Sequence, residues 1–315
     1  VRVTESPARD LLRLVVWYPL RLVIERLPPR AGFWALGLLG RLHAALAAVR
    51  GGRKARIAAA VAAVAPDLPE AGRKAQVVEF FRTHYVNQLS IFVYPNLTRD
   101  NLGHILAIEG LSHLDAALAA GRGVVLPIGH FGPSQLPLAG LGVLGYPMVQ
   151  IGFQNDEGLS FIGKNVAFRL RRLYEGRIPA AIVPPGPGAR RAMAHLRGGG
   201  LVMTTMDDGP GQPPFGHHAP FPFPGGPLCT PLGPARLALA SGAALCPAFL
   251  TPGERTPFRL RIDPPLPLPE TPDTPGPADK NAVALALTRD CLARYAAVVA
   301  QSPGWWHGLE AHVFP

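Results

Sequence analysis

His130 lies in "VVLPIGHFGPSQL" (124–136), where an apolar run reaches Gly129 and a helix-like segment follows at once. In open α/β sheets the carboxyl ends of the strands are where ligands bind, so a histidine there is a candidate functional residue. Gly129 and Gly132 let the backbone turn sharply and let a substrate approach. Pro133 suits a first helical turn, whose free N–H groups can stabilise a developing oxyanion. Gln135, five positions after the histidine, is an amide rather than an acid. Asp207 and Asp208 in "MTTMDDGPG" end a second strand at what should be the same edge of the sheet. Paired carboxylates at a strand end can be catalytic, hold a metal or cap the turn, and the Gly-Pro-Gly that follows keeps the last reading open. His217 and His218 sit in a Pro/Phe-rich loop without a ligand pattern nearby, and Cys229, Cys246 and Cys291 lack CxxC spacing. No metal site, disulfide framework or other cofactor is expected from them. No P-loop, GxGxxG turn or GxSxG elbow occurs, and the "RGGG" at 197–200 reads as a helix C-cap.

The elements that must position these residues alternate. From Asn101 onward strand-like and helix-like segments take turns, among them "HILAIEG", "LSHLDAALAAG", "GVVLPIGH", "PSQLPLAGLGVLG", "LVMTTMDD", "PLGPARLALASGA" and "ALCPAFLT". Apolar strands between helices predict an α/β domain over 101–315, with a mostly parallel central sheet flanked by helices. Residues 1–100 read as an N-terminal helical segment. A Pro-rich connector follows a strand at Phe258–Ile262, and a last helix leads to "SPGWWHG".

The chain has 315 residues, 48% of them apolar, which is enough for a large core and excludes disorder. Its net charge of +10 favours anionic partners: a lipid surface, an acidic carrier protein or nucleic acid. No RNA-binding signature or zinc-finger spacing supports nucleic acid. No cleavable signal pattern opens the chain. Two apolar stretches, "LLRLVVWYPLRLVIERL" and "AGFWALGLLGRLHAALAAV", are each broken by charge, and neither gives the run of about 20 apolar residues a membrane span needs. They fit helices lying in a membrane interface with Trp17, Tyr18 and Trp34 at headgroup level, or ordinary core helices. Arg50, Arg53, Lys54 and Arg56 follow directly, a basic cluster of the kind anionic lipid selects.

The blocks "GHFGPSQ", "MDDGPG", "FPFPGGPLCTPLGPARLALASGAALCPAF" and "SPGWWHG", in that order and spacing, resemble those of the lipid A late acyltransferases, the lauroyl/myristoyl transferase family of the lysophospholipid acyltransferase superfamily. "RKARIAAAVAAVAPDLPEAG" is loosely similar to the family's N-terminal basic helix, so the resemblance spans nearly the whole chain. It implies a His general base in a His-x4-acid motif that deprotonates an acceptor attacking an acyl thioester. The acid orients the imidazole, as in a Ser-His-Asp triad without the Ser. His130 matches the base, Asp207 the Asp of an Asp-Gln pair, and Trp305–Trp306 a Trp-rich block. Gln135 falls where the acid should be, and Gly152 where an Arg usually precedes Pro and Asn.

The expected activity is acyl transfer from an acyl carrier protein or coenzyme A thioester to an amine-type or hydroxyl acceptor. Catalysis is assigned to His130, Gln135 and Asp207, and substrate contacts to Gly129, Phe131, Gly132, Asp208, Phe221 and Phe223. Gln135 can hold the ring but brings no charge. A better nucleophile than an alcohol therefore suits it, and a specialised lipid or natural product is the expected setting. Asp207 or Asp208 supplying the charge instead is the competing arrangement. A conventional glycolipid or lysophospholipid O-acyltransferase and a non-catalytic carrier-binding homologue are the alternative functions. A cytoplasmic location is expected, either soluble or in peripheral contact with the cytoplasmic face of the inner membrane, with no nucleic acid as partner.

Overall fold

The computed structural model describes residues 5–50, 52–152, 156–207, 216–268 and 277–314. The N-terminal part is helical: α1 (Pro7–Val15), α2 (Arg21–Arg26), α3 (Pro29–Arg50), α4 (Gly52–Val64), α5 (Glu70–Leu89) and the short α6 (Arg99–Leu102). Ser6 caps α1 by accepting the Arg9 N–H at 3.3 Å, and Pro7 occupies the first turn, where no N–H is needed. Pro19 cannot continue a regular α-helix, and the chain widens into a π turn over Val16–Leu20 before α2 resumes. α3 packs along α5.

The rest alternates β1 (Leu106–Glu109), α7 (Leu111–Ala119), β2 (Val124–Ile128), α8 (Leu136–Leu144), β3 (Met148–Ile151), α9 (Arg169–Glu175), β4 (Ala181–Val183), α10 (Ala189–Arg197) and β5 (Leu201–Thr205). Then come β6 (His218–Phe221), β7 (Leu228–Pro231), α11 (Gly233–Ser241), β8 (Ala244–Leu245), β9 (Ala248–Pro252), β10 (Phe258–Ile262), α12 (Pro277–Gln301) and α13 (Leu309–Val313). The central sheet runs β4-β3-β5-β2-β8 and every pairing in it is parallel. β2 is buried along its whole length, as expected of a strand covered by helices on both faces. The α/β expectation therefore holds.

Two local expectations change. "ALCPAFLT" is divided between β8 in the central sheet and β9 in a second sheet of order β1-β10-β9. Pro247, which has no N–H to give a ladder, stands at the break. The Pro/Phe-rich segment, expected as a loop, pairs β6 with β7 as an antiparallel ribbon. Its prolines hid the strands from a pattern reading, yet a two-stranded ribbon has open edges that tolerate them.

One apolar cluster runs from Ile24 and Phe33 through Val124–Leu126 to Val299, so the N-terminal helices share the core of the sheet. Their outer faces stay exposed: Leu11, Leu12, Val15, Leu22 and Val23 on α1 and α2, and Trp34, Leu38, Leu42 and Leu46 on α3. Trp17 is buried against Phe92 and Tyr174 rather than at a headgroup level, whereas Tyr18 and Trp34 are exposed. Arg53 and Arg56 both pair with Glu310 of α13, at 3.3 and 3.0 Å. The Arg50 side chain lies outside the described residues. Among the described residues no single helix is long and apolar enough to cross a membrane.

Candidate active site

β2 and β5 are adjacent parallel strands with Ile128 opposite Thr205. Two residues beyond each register partner stand His130 and Asp207, so the sheet itself brings the pair together. Both Asp207 carboxylate oxygens accept the His130 backbone N–H, at 2.8 and 2.9 Å, and Oδ1 lies 3.0 Å from the His130 Nδ1. Oδ2 also accepts the Tyr295 hydroxyl at 2.8 Å and the Trp306 indole N–H at 2.9 Å. The Asp207 side chain is fully buried, while the His130 side chain is 35% exposed. A buried carboxylate needs such donors to remain charged. Burial and the adjacent carboxylate push the Tyr295 hydroxyl well above its ordinary pKa, which keeps it a donor. With Nδ1 donating to Asp207, the basic lone pair of the imidazole falls on Nε2.

The group that holds the ring is thus Asp207 and not Gln135. Gln135 lines the same cavity as His130, caps α8 without a side-chain hydrogen bond, and makes none to the ring. The helix also starts later than "PSQLPL" suggested. Residues 131–135 form a turn, α8 begins at Leu136, and Pro137 rather than Pro133 takes the first helical turn. The Ser134 N–H, expected to be free for an oxyanion, is taken by Asn87 Oδ1 of α5 at 3.1 Å.

The C-terminal block clamps the histidine turn from behind. Gly132 donates its N–H to the Trp305 carbonyl and His307 donates its N–H to the His130 carbonyl, both at 2.9 Å. His307 Nε2 bonds the Gly132 carbonyl at 2.6 Å. Burial lowers the His307 pKa to about 4, so the ring is neutral at neutral pH and donates from Nε2. Gly132 has φ +60° and a Cβ there would come 2.7 Å from the Trp305 ring; a Cβ at Gly129 would fall inside the Tyr295 ring. Gly129→Ala should therefore displace Tyr295 and lower the thermal midpoint, the 1–3 kcal/mol typical of overpacking. An unchanged midpoint by calorimetry would show that the ring gives way freely.

Several expected substrate contacts belong to this support. Gly129, Phe131 and Gly132 are buried behind the cavity, with the Phe131 ring against Tyr295 and Trp305. Phe221 is buried in β6, and Phe223 packs on Tyr295, Trp306 and His312. None of the five lines the cavity beside His130. Asp208 lies outside the described residues.

That cavity has a volume of about 730 Å³. Its wall mixes apolar side chains (Ile151, Phe168, Ile182, Leu237) with polar ones (Asn87, Gln88, Ser134, Gln135, Gln150, Thr204). Gly152 forms part of it, where the resemblance led to expect an Arg. Two guanidinium groups reach the same cavity from α9: Arg171, paired with the buried Glu175 at 2.9 Å, and Arg172, exposed and without an ion pair among the described residues. Among the described residues no cluster of His, Cys, Asp and Glu could hold a metal ion.

Sequence reasoning missed Tyr295, Asn87 and His307 as partners, and Arg171 and Arg172 as wall. The WWHG block was conspicuous, but nothing in its spacing pointed to a carboxylate nearly 100 residues earlier as the indole's partner. Tyr295 carries no local signal at all within an Ala-rich helix.

The family model for bacterial lipid A biosynthesis acyltransferases matches residues 11–311, which includes every residue of the site described above. No curated protein matches the chain.

Proposed function

We propose that this chain, which belongs to the bacterial lipid A biosynthesis acyltransferase family, moves an acyl group from a thioester to a lipid hydroxyl, with His130 as general base. The observation that carries this reading is the Asp207 carboxylate 3.0 Å from His130 Nδ1. In the reaction Nε2 takes the hydroxyl proton as the oxygen attacks the thioester carbonyl. The C–S bond then breaks, the thiolate leaves, and the proton on Nε2 returns to sulfur. Asp207 orients the ring and stabilises the imidazolium formed between these steps.

A hydroxyl acceptor suits this geometry better than an amine. The case for an amine or a specialised acceptor rested on an uncharged Gln135 behind the base, and Asp207 removes that reason. Nor does the missing Arg at Gly152 weigh against an acceptor bearing phosphate, because Arg171 and Arg172 bring positive charge to the same cavity. The donor is an acyl carrier protein or coenzyme A thioester; the net charge of +10 would attract either by steering. The exposed apolar faces of α1–α3 support peripheral contact with the cytoplasmic face of the membrane.

The test pairs an acyl thioester with an alcohol acceptor and an amine of the same shape. Ester formation matched by thiol release, with little amide, is the expected result. Preferential amide formation would return the weak-base reading with its specialised acceptor. Binding of the thioester without any acceleration of its loss would identify a non-catalytic homologue.

A further inference from the structure

A second cavity, of about 710 Å³, opens between the start of α3, the middle of α5 and the β9–β10 turn. It is separate from the His130 cavity and shares no lining residue with it. Three guanidinium groups line it, Arg30, Arg82 and Arg255, against one carboxylate, Glu254. Arg82 is held by Glu79 at 2.7 Å and lies over the Trp305 ring. Arg30 and Arg255 are exposed and form no ion pair among the described residues. The apolar part of the wall is Phe33, whose ring meets Phe258 edge-on, and the Trp34 indole at the mouth.

We propose that this cavity binds the phosphate of an anionic phospholipid, and that the outer face of α3 lies in the bilayer surface beside it. Arg30 stands one helical turn before Trp34, and Leu38, Leu42 and Leu46 follow at four-residue intervals, all exposed. From Trp34 to Leu46 the stripe is about 18 Å long at the helical rise. α3 contains no Asp or Glu, so the face is not a mixed-charge solvated surface. It is an apolar band with Arg30 at one end and Arg41 within it, and Trp34 where an indole meets headgroups. The arrangement is amphiphilic: cations around an open cavity at one end, a greasy track leading away. A soluble anion would use the first and leave the second unexplained. The cluster first suspected of this role is partly compensated, since Arg53 and Arg56 share the Glu310 carboxylate.

The inference rests on the reading that the protein works at a membrane surface. The full chain is sedimented with vesicles of phosphatidylcholine alone and with phosphatidylglycerol added. Phosphatidylglycerol should strengthen binding. Arg30→Ala and Arg255→Ala should each weaken that gain about fivefold, the ~1 kcal/mol of one cation at an anionic surface. The Arg53→Ala/Arg56→Ala pair should cost less than the Arg30→Ala/Arg255→Ala pair. Of the four tryptophans Trp34 is the exposed one, so anionic vesicles should blue-shift an emission component that Trp34→Phe removes. Binding indifferent to phosphatidylglycerol, or equal losses from the two pairs, would overturn the headgroup site and leave the membrane reading standing. No sedimentation with either vesicle would overturn both. The same blue shift from glycerol phosphate without vesicles would reassign the cavity to a soluble phosphate.

Discussion

Asp207→Asn should lower acyl transfer by about 10⁴, the loss seen when the Asp of a Ser-His-Asp triad becomes Asn. The carboxylate here accepts from four groups: the His130 backbone N–H, its Nδ1, the Tyr295 hydroxyl and the Trp306 indole. An Asn side chain has one acceptor oxygen, and its NH₂ must face at least one donor or turn toward Nδ1. Turned toward Nδ1, it stabilises the wrong tautomer and moves the proton to Nε2, where the base is needed. Turned away, it opposes an indole or hydroxyl proton in a buried site. The imidazolium also loses its counter-charge in either case. Gln135→Ala, by contrast, should leave the rate within roughly tenfold, because it removes a wall residue and none of the ring's support. Steady-state rates of the two variants, with thermal midpoints to confirm folding, test the assignment. A larger loss from Gln135→Ala than from Asp207→Asn would return the orienting role to the amide.

His130→Ala should reduce turnover by at least the ~10² usual for a lost general base. Folding should survive, since the ring is partly exposed and Asp207 keeps the backbone N–H of position 130. Donor binding should survive as well, because the cavity wall is otherwise intact. The loss should therefore fall on kcat more than on KM, with residual activity from substrate positioning. An equal rise in KM with kcat unchanged would make His130 a binding residue only. Full turnover in the variant would end the mechanism.

Much of the frame was legible because it is local. Continuous apolar runs such as "VVLPI" and "LVMTT" announce buried parallel strands, and the Gly, Pro and Asp residues after them mark the strand ends. His130 and Asp207 could be placed on one edge of one sheet from that pattern alone. Where prolines interrupt the pattern, as in β6–β7 and at Pro247, it failed, since pairing there depends on which edge is left open.

The sequence by itself determined the α/β class, the strand-end positions of His130 and Asp207, and the apolar faces of the N-terminal helices. Each follows from spacing along the chain. Only the tertiary structure decided that β5 is β2's neighbour, with Ile128 opposite Thr205, and therefore that the Asp207 carboxylate reaches the His130 ring. Neighbour order in a sheet comes from how helices pack over the strands, not from any one strand's residues. The same holds for Tyr295 and Trp306, which reach Asp207 from 88 and 99 residues away. Their donors are paired because a buried carboxylate leaves no alternative, and no local pattern records that necessity.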